Sequence, residues 1–275
     1  DVIVDQKLDS YDEMYFASPG LPDEIVKEIA KTLIKKNKKI RFHRFEDGFA
    51  SYTKKTVHVV STELGMKMYK LLWHYDVCRM EQDIYMFEPE MAEDTVVFEK
   101  KRIEKTPERM ERIIGWAKDI FRFETHVPDE KYIFLGQGTE NGSQNPETYQ
   151  KLIRRLRDIA GSDNFIIKPH PRGVYDDFHG ELHVYRDSCP FELAIASGKY
   201  EDKTLISFYS TACVAGKLLF QSKCRIIFLY PLAEDSFNEK CDYEHYFSAF
   251  SSLCDGVYIA RSWEEVERLC AQDGC

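Results

Sequence analysis

No stretch of this 275-residue chain approaches the roughly 20 consecutive apolar residues that a membrane helix needs, and no secretory leader is visible at its start. Positive charge is also short. Lysine and arginine number 38 against 47 aspartates and glutamates, a net charge of −9. That balance excludes a protein whose main task is gripping nucleic acid, because phosphate neutralisation needs a basic excess. The eight cysteines (78, 189, 213, 224, 241, 254, 270 and 275) include no CxxC pair and no metal-binding spacing with histidine. Buried free thiols in a reducing compartment follow, with the cytoplasm as the default location. Gly136-Gln137-Gly138 lacks the third glycine of a dinucleotide fingerprint. There is no Asp-x-Asp pair, since Asp176-Asp177 lacks that spacing and reads as a loop, and there is no solenoid repeat or low-complexity tract.

What is present is ample core material: 43% of residues are hydrophobic and 13% aromatic, which excludes a disordered chain. The length fits two domains at roughly 100–200 residues each. The first strands expected are Val2–Val4 and Met14–Ala17. After a Ser18-Pro-Gly turn, Asp23 caps a helix with Ile25, Ile29, Leu33 and Ile34 on one face and lysines on the other. Lys39–Phe45 reads as extended and runs into Glu46-Asp47-Gly48. A helix over Glu63–Trp73, a strand over Ile84–Phe87 and a helix over Thr106–Phe121 follow, the last with Met110, Ile113, Ile114 and Ala117 inward. The polar segment Glu124–Glu130 is the linker expected between domains 1–126 and 127–275.

Past it the alternation restarts. Strands are expected at Tyr132–Leu135, Phe165–Lys168, Thr204–Phe208, Arg225–Tyr230 and Gly256–Ala260, with helices at Pro146–Ile159, Cys189–Ala196, Ala212–Phe220 and Trp263–Cys270. The terminal helix, 263–271, could return to the N-terminal domain. Alternating strands and helices imply parallel sheets, so the expected class is α/β, two Rossmann-like αβα domains facing a cleft. Such folds bind ligands in the loops after the strand C-termini.

Four of those loops carry polar chemistry: Glu46-Asp47-Gly48, Gly136-Gln137-Gly138, Lys168-Pro-His170-Pro171-Arg172 and Ser210-Thr211. Each has an ordinary reading. An acidic pair before glycine is often a turn, GxG a tight turn, Ser-Thr a helix cap, and a proline-flanked histidine a structural loop residue. Together they suggest more. Prolines on both sides aim the His170 imidazole. The helix opening after Ser210 and Thr211 offers free N–H groups, its positive dipole end and two hydroxyls, a ready phosphate site. A carboxylate from Glu46-Asp47 in the other domain would complete a transferase that uses a nucleotide-activated donor. His43, His58 and His74 have no paired ligand spacing, His179 and His183 fall in a loop, and no metal site is expected.

These residues resemble the bacterial sialyltransferases, most nearly glycosyltransferase family 52, the lipooligosaccharide-type enzymes. That family has an acidic-acidic-glycine motif, a His-Pro motif and a Ser-Ser/Thr motif in this chain order, matched by Glu46-Asp47-Gly48, His170-Pro171 and Ser210-Thr211. Cys189-Pro-Phe191-Glu192-Leu193 is similar to the segment whose glutamate holds the nucleotide ribose. Tyr85-Met-Phe-Glu-Pro89 and Phe134-Leu-Gly-Gln-Gly138 also resemble family segments.

The resemblance implies a GT-B-like fold and an inverting, metal-independent transfer from CMP-sialic acid to a sugar hydroxyl, most simply a terminal galactose of a bacterial surface glycan. In that scheme Asp47 is the base, with Glu46 raising the pair's proton affinity or orienting the loop. His170 serves the leaving phosphate, and Gly48, Gly136, Gln137, Lys168, Pro171, Phe191, Glu192, Ser210 and Thr211 bind the donor. No cofactor is implied, only a nucleotide-sugar donor and an oligosaccharide acceptor. The family fold opens with a strand and helix ahead of Val2–Val4 that this chain, starting at Asp1, lacks, so a truncated N-terminal domain is expected. The lysine run Lys31–Lys39 reads as a solvated helix face that could touch anionic lipid headgroups at the inner face of a membrane. A homodimer is allowed but argued by no residue. The rivals are a UDP-hexose transferase of the same fold, a non-catalytic nucleotide-binding homologue, and a Cys/His metal or redox protein.

Overall fold

The structure, a computed structural model, describes residues 10–17, 24–53, 64, 67–68, 70–71, 83–93, 99–121, 126–137, 145–170, 180–186, 189–233 and 243–272. The strand expected at Val2–Val4 lies outside them. The chain divides into two compact units, Asp1–Glu104 and Lys105–Cys275. The division falls ahead of the helix at 107–121, which groups with the second unit.

The first unit contains strands β1 (Glu13–Ala17), β2 (Arg41–Phe45), β3 (Asp83–Met86) and β4 (Glu99–Arg102), parallel and in the order β1-β2-β3-β4. Helix α1 (Glu24–Lys36) makes the β1–β2 crossover. Phe16, Phe42, Ile84 and Met86 are buried on one face of the sheet, with Ala30 and Leu33 of α1 also in the core. His43 and Asp83, on the opposite face, are buried as well, so β2 and β3 are covered on both sides. Strand β4 was not expected, because Glu99-Lys-Lys-Arg102 has no apolar alternation. Its charges suit an edge, where they oppose unwanted strand pairing, and two are used inside the unit. Lys101 Nζ lies 2.5 Å from Asp83 Oδ2, and Arg102 pairs with Glu88 and Glu90. Leu64, Met68 and Leu71, on the expected helix Glu63–Trp73, are exposed.

The second unit opens with α2 (Pro107–Phe121). Strands β5 (Tyr132–Leu135), β6 (Phe165–Lys168), β7 (His183–Val184), β8 (Thr204–Ser207), β9 (Arg225–Phe228) and β10 (Val257–Ile259) follow in one parallel sheet, ordered β10-β9-β8-β5-β6-β7. Interleaved are α3 (Pro146–Ala160), α4 (Phe191–Ala196), α5 (Thr211–Phe220), α6 (Tyr243–Leu253) and α7 (Trp263–Ala271). The central strands are buried on both sides and read as nearly continuous apolar runs, as a covered parallel sheet requires. Asn145 caps α3 by accepting from the Glu147 and Thr148 amides, with Pro146 at its first position.

Helix α7 packs within the second unit. Its Val266, Leu269 and Cys270 join the core formed by Tyr132, Ile153 and Ile227, and the Tyr132 hydroxyl donates to the Cys270 carbonyl at 2.8 Å. Helix α2 forms as expected but buries no residue. Met110, Ile114 and Ala117 are half-buried, and Ile113, expected inward, is exposed. Helix α6 was missed, because Tyr-Glu-His-Tyr-Phe-Ser-Ala-Phe is poor in strong helix formers. Packing overrides propensity there, with Phe247 4.2 Å from Phe228 between ring centroids and Tyr246, Phe247 and Phe250 buried.

Candidate functional site

In the second sheet the chain runs outward from β5 through β6 to β7, then crosses back to place β8 on the other side of β5. The C-terminal ends of β5 and β8 therefore flank a topological switch point, where open parallel sheets leave a crevice for ligands. Three of the expected segments, those beginning at Gly136, Lys168 and Ser210, open onto this edge, because parallel strands put all their exits on one side.

The exits are tied together by a buried hydrogen-bond network. The Gly136 amide donates to the Lys168 carbonyl at 2.9 Å, joining the ends of β5 and β6. Gln137, buried, donates from Nε2 to Ser207 Oγ at 2.7 Å and to the Leu135 carbonyl at 3.2 Å. The Ser207 hydroxyl donates to the Leu135 carbonyl at 3.2 Å and accepts from the Ser210 amide at 3.0 Å. Gln137, expected beside the donor, thus braces the β5 and β8 exits with its amide nitrogen. Ser207 was not singled out from the sequence. Its signal is a lone polar residue closing the apolar strand Thr204-Leu-Ile-Ser207, at a place where buried polar groups must find partners.

Helix α5 starts on this frame. Ser210 holds the N-cap position with extended backbone (φ −71°, ψ 124°), yet its side chain makes no capping hydrogen bond. The ordinary cap reading therefore describes its position and not its hydroxyl. The first-turn amides of an α-helix have no intrahelical partner and carry the positive end of its dipole, so this N-terminus can receive an anion.

Helix α4 lies against α5, brought close by Gly216. A Cβ there would stand 2.9 Å from both Cδ1 and Cγ2 of Ile195. Glu192 is in the first turn of α4, and its charge is felt across this contact. Burial pushes the Cys213 thiol of α5 well up, and the Cys224 thiol and the Glu192 carboxylate push it further. Phe191, also buried, meets Tyr200 edge-on at 5.5 Å. Lys168 Nζ stands 5.1 Å from the Tyr185 ring centroid and 5.9 Å from that of Phe191. The Tyr185 and Tyr200 hydroxyls both donate to the His126 carbonyl, at 2.5 and 3.2 Å. This bracket places a cation between the β6 exit and the start of α4, an arrangement stabilised by ring quadrupoles. His170 is half-buried two residues past β6, and Pro171 lies outside the described residues.

Two aromatic residues went unnoticed in the sequence because α6 did. Tyr209, immediately before Ser210, stacks on Tyr243 at the start of α6 with centroids 4.8 Å apart and planes 14° from parallel. Behind it Tyr230 donates to Glu244 at 2.6 Å, and Arg261 pairs with the same carboxylate. Arg261 first and Tyr230 second hold the Glu244 carboxyl below its usual range.

In the first unit the acidic loop follows β2. Gly48 takes φ +65°, a left-handed conformation that favours glycine, and opens a 3₁₀ turn over Gly48–Tyr52. The two carboxylates differ. Glu46 Oε2 accepts from the Phe87 amide at 2.7 Å and from the buried Tyr52 hydroxyl, so Glu46 pins the loop to the end of β3. Asp47 is anchored through its backbone, its amide donating to Ser51 Oγ at 2.8 Å, while its side chain is exposed. Of the two roles expected for Glu46, these bonds fit the orienting one.

The same sheet holds a buried polar cluster. His43 Nδ1 lies 2.8 Å from Asp83 Oδ1, Lys101 bonds Asp83 Oδ2, and the Tyr15 ring stacks on the imidazole at 4.8 Å. Burial would raise the Asp83 carboxyl, but hydrogen bonds from Lys101 and His43 outweigh it and hold it below its ordinary value. Nε2 of His43 is buried without a partner. Among the described residues no three His, Cys, Asp or Glu side chains gather in a way that could hold a metal ion. One cavity, lined by Tyr132 and Cys270, lies away from the strand exits, and another, lined by His126, Glu130, Val184 and Tyr185, lies beside the end of β7. No helix of the described chain is long and apolar enough to cross a membrane.

No protein-family model and no curated protein sequence matches the chain. Among solved structures, the chain is similar to the glycotransferase of kitacinnamycin, at 10% identity and a TM-score of 0.49 over 94% of this chain and 67% of that one. It is similar to CalG4, the calicheamicin glycosyltransferase, at 11% identity and a TM-score of 0.42, covering 95% of this chain and 70% of the other. A third is UGT89C1 of Arabidopsis thaliana complexed with UDP, at 10% identity and a TM-score of 0.48, covering 91% and 62%. The chain thus spans about two thirds of the length of these proteins, and at such scores the likeness carries no argument about ligand or reaction.

Proposed function

We propose that this chain is an inverting glycosyltransferase that moves sialic acid from CMP-sialic acid to a sugar hydroxyl, on the cytoplasmic side of a membrane and without a metal. The observation that carries the reading is the start of α5. It stands at the switch point of the second sheet, its Ser210 hydroxyl not spent on capping, and its N-cap residue is held by the Gln137–Ser207 network through the Ser210 amide. Such an N-terminus suits the single phosphate of CMP. The choice of cytidine and sialic acid rests on the motif resemblance.

In this scheme the acceptor oxygen bonds to the anomeric carbon as the bond from that carbon to the CMP phosphate oxygen breaks. Asp47 takes the hydroxyl proton. Charge on the departing phosphate meets the α5 amides, Ser210, Thr211 and a hydrogen bond or proton from His170, and Lys168 adds positive potential at the same strand edge. Glu192 accepts from the ribose hydroxyls. Glu46 and Gln137 act by holding the loops in place.

The test is sialyl transfer to a lactoside in EDTA, with CMP-sialic acid set against UDP-galactose and UDP-glucose. Transfer from CMP-sialic acid that is lost in Asp47→Asn supports the reading. Transfer from a UDP-sugar alone replaces it with the hexosyl alternative. Binding of CMP without transfer from any donor leaves a nucleotide-binding module.

A further inference from the structure

The strands of the second sheet end in register. Ser207 of β8 is level with Phe228 of β9, Phe228 with Ile259 of β10, and Leu135 of β5 with Lys168 of β6. Phe134 opposite Ile206 carries the same level from β5 to β8. The residues two places past these ends therefore form a row along the edge that holds the switch point. In sheet order the row reads Arg261, Tyr230, Tyr209, Gln137 and His170. Gln137 and His170 already have tasks in the transfer scheme. Tyr209 stands next to Gln137 in the row and immediately precedes the N-cap Ser210, yet the scheme gives it none.

The two halves of the row differ in chemistry. Toward β6 lie Lys168, His170 and, at the start of α4, Glu192. Toward β9 and β10 the edge is aromatic. Tyr209 and Tyr243, both half-buried, stack face to face. Tyr243 is backed by the buried rings of Tyr230 and Phe247, at 5.9 and 6.1 Å between centroids. Glu244 accepts from Tyr230 and pairs with Arg261, which fixes the start of α6 to the exits of β9 and β10. Because Glu244 answers the Arg261 charge, the described residues on this side leave no arginine or lysine over for a second phosphate. In the scheme above the phosphate meets the start of α5 and the nucleoside lies toward Glu192. A nucleotide sugar is three groups in a line, so its sugar falls on the tyrosine side. Aromatic rings with polar tips suit a pyranose, which offers C–H groups to a ring face and hydroxyls to polar neighbours. The sialyl carboxylate is borne by the anomeric carbon, so it stays beside the phosphate.

We propose that the stacked rings of Tyr209 and Tyr243 form the floor of the subsite for the transferred sugar, and that they set which donor sugar is accepted. The inference rests on the donor reading given under Proposed function and adds to it the residues that meet the sugar.

The experiment compares two ligands by calorimetry in EDTA on the full chain. One is CMP, and the other is CMP-sialic acid with fluorine beside the anomeric carbon, which slows its transfer and hydrolysis. Tyr209→Ala and Tyr243→Ala should each weaken the fluorinated donor about tenfold while leaving CMP within about twofold of the parent. Tyr243→Phe keeps the ring and should hold the donor within about threefold. Retained CMP binding shows at the same time that the second unit of each variant is folded. Far-ultraviolet circular dichroism matching the parent would confirm it. The ratio of the two affinities is the readout, because a purely structural role would lower both together. The proposal is overturned if neither alanine variant changes that ratio, or if CMP and the fluorinated donor weaken by the same factor; either result leaves the donor reading standing. A parent chain that binds neither ligand overturns the donor reading and this inference with it.

Discussion

Replacing Gly216 by alanine tests whether the α4–α5 contact sets the donor site. The new methyl would stand 2.9 Å from two carbons of Ile195, about 0.6–1 Å inside ordinary carbon–carbon contact. Ile195 is buried and β-branched, so its χ1 cannot easily turn away, and the helices must part. Overpacking of this kind costs about 1–3 kcal/mol. Alanine offsets about 1 kcal/mol through its better helix propensity. A net loss of about 1 kcal/mol should lower Tm by about 2–4 °C. The larger effect should be on binding. In the proposed site Glu192 is carried by α4 and the amides assigned to the phosphate by α5, so separating the helices by a fraction of an ångström should weaken CMP about tenfold, or about 1.4 kcal/mol. Calorimetry and thermal melts on Gly216→Ala, Ile195→Ala and the double variant would measure both. Ile195→Ala alone should cost about 2–5 kcal/mol by leaving a cavity. The double variant should be less damaged than the sum, because the added methyl then enters vacated space. Full CMP affinity and an unchanged Tm in Gly216→Ala would refute the claim that close helix packing positions Glu192.

Other consequences can be measured in the same way. Ser207→Ala deprives both the Gln137 amide and the Ser210 amide of an acceptor. It should lower stability by about 1–3 kcal/mol in denaturant melts. Asp47→Asn should cut the transfer rate by about 10²–10⁴-fold with the melting curve unchanged, whereas Glu46→Gln should shift the melt, because it weakens the tie to Phe87 and Tyr52. Asp83 and Glu244 both have folded-state carboxyls held below their ordinary values. Their contributions should be complete above the unfolded value of about 4 and lost as pH falls through the lower folded values. Asp83→Asn should therefore flatten the acid limb of the stability–pH profile, and a profile identical to the parent would contradict the role given to the His43–Asp83–Lys101 cluster.

The sequence made the alternation of strands and helices legible because buried parallel strands are short apolar runs and the intervening helices are amphipathic. It marked the strand ends for the same reason: Gly136 and Asp47 lie just past strands, Lys168 closes one and Ser210 stands three residues past another, each at a change to polar residues. What it hid depends on pairing across the chain. Strand β4 is charged throughout and becomes a strand only beside β3. The pairing of His43 with Asp83 needs the β2–β3 register, which sets Arg44 beside Ile84. Ser207 and Gln137 are 70 residues apart, and neither announces the other. The distinction between Glu46 as a brace and Asp47 as the exposed carboxylate depends on Tyr52 and the Phe87 amide, so no reading of adjacent residues could supply it. Tyr209 gained its partner only through α6, whose aromatic core residues disguise a helix.

The most direct test of the donor site is calorimetric titration of CMP, CDP and UDP in EDTA against the intact chain, His170→Ala and Glu192→Ala. The account predicts micromolar CMP binding that a second phosphate does not improve and that both substitutions weaken by about tenfold or more. Binding of UDP in preference to CMP, or CMP affinity indifferent to Glu192, would contradict it.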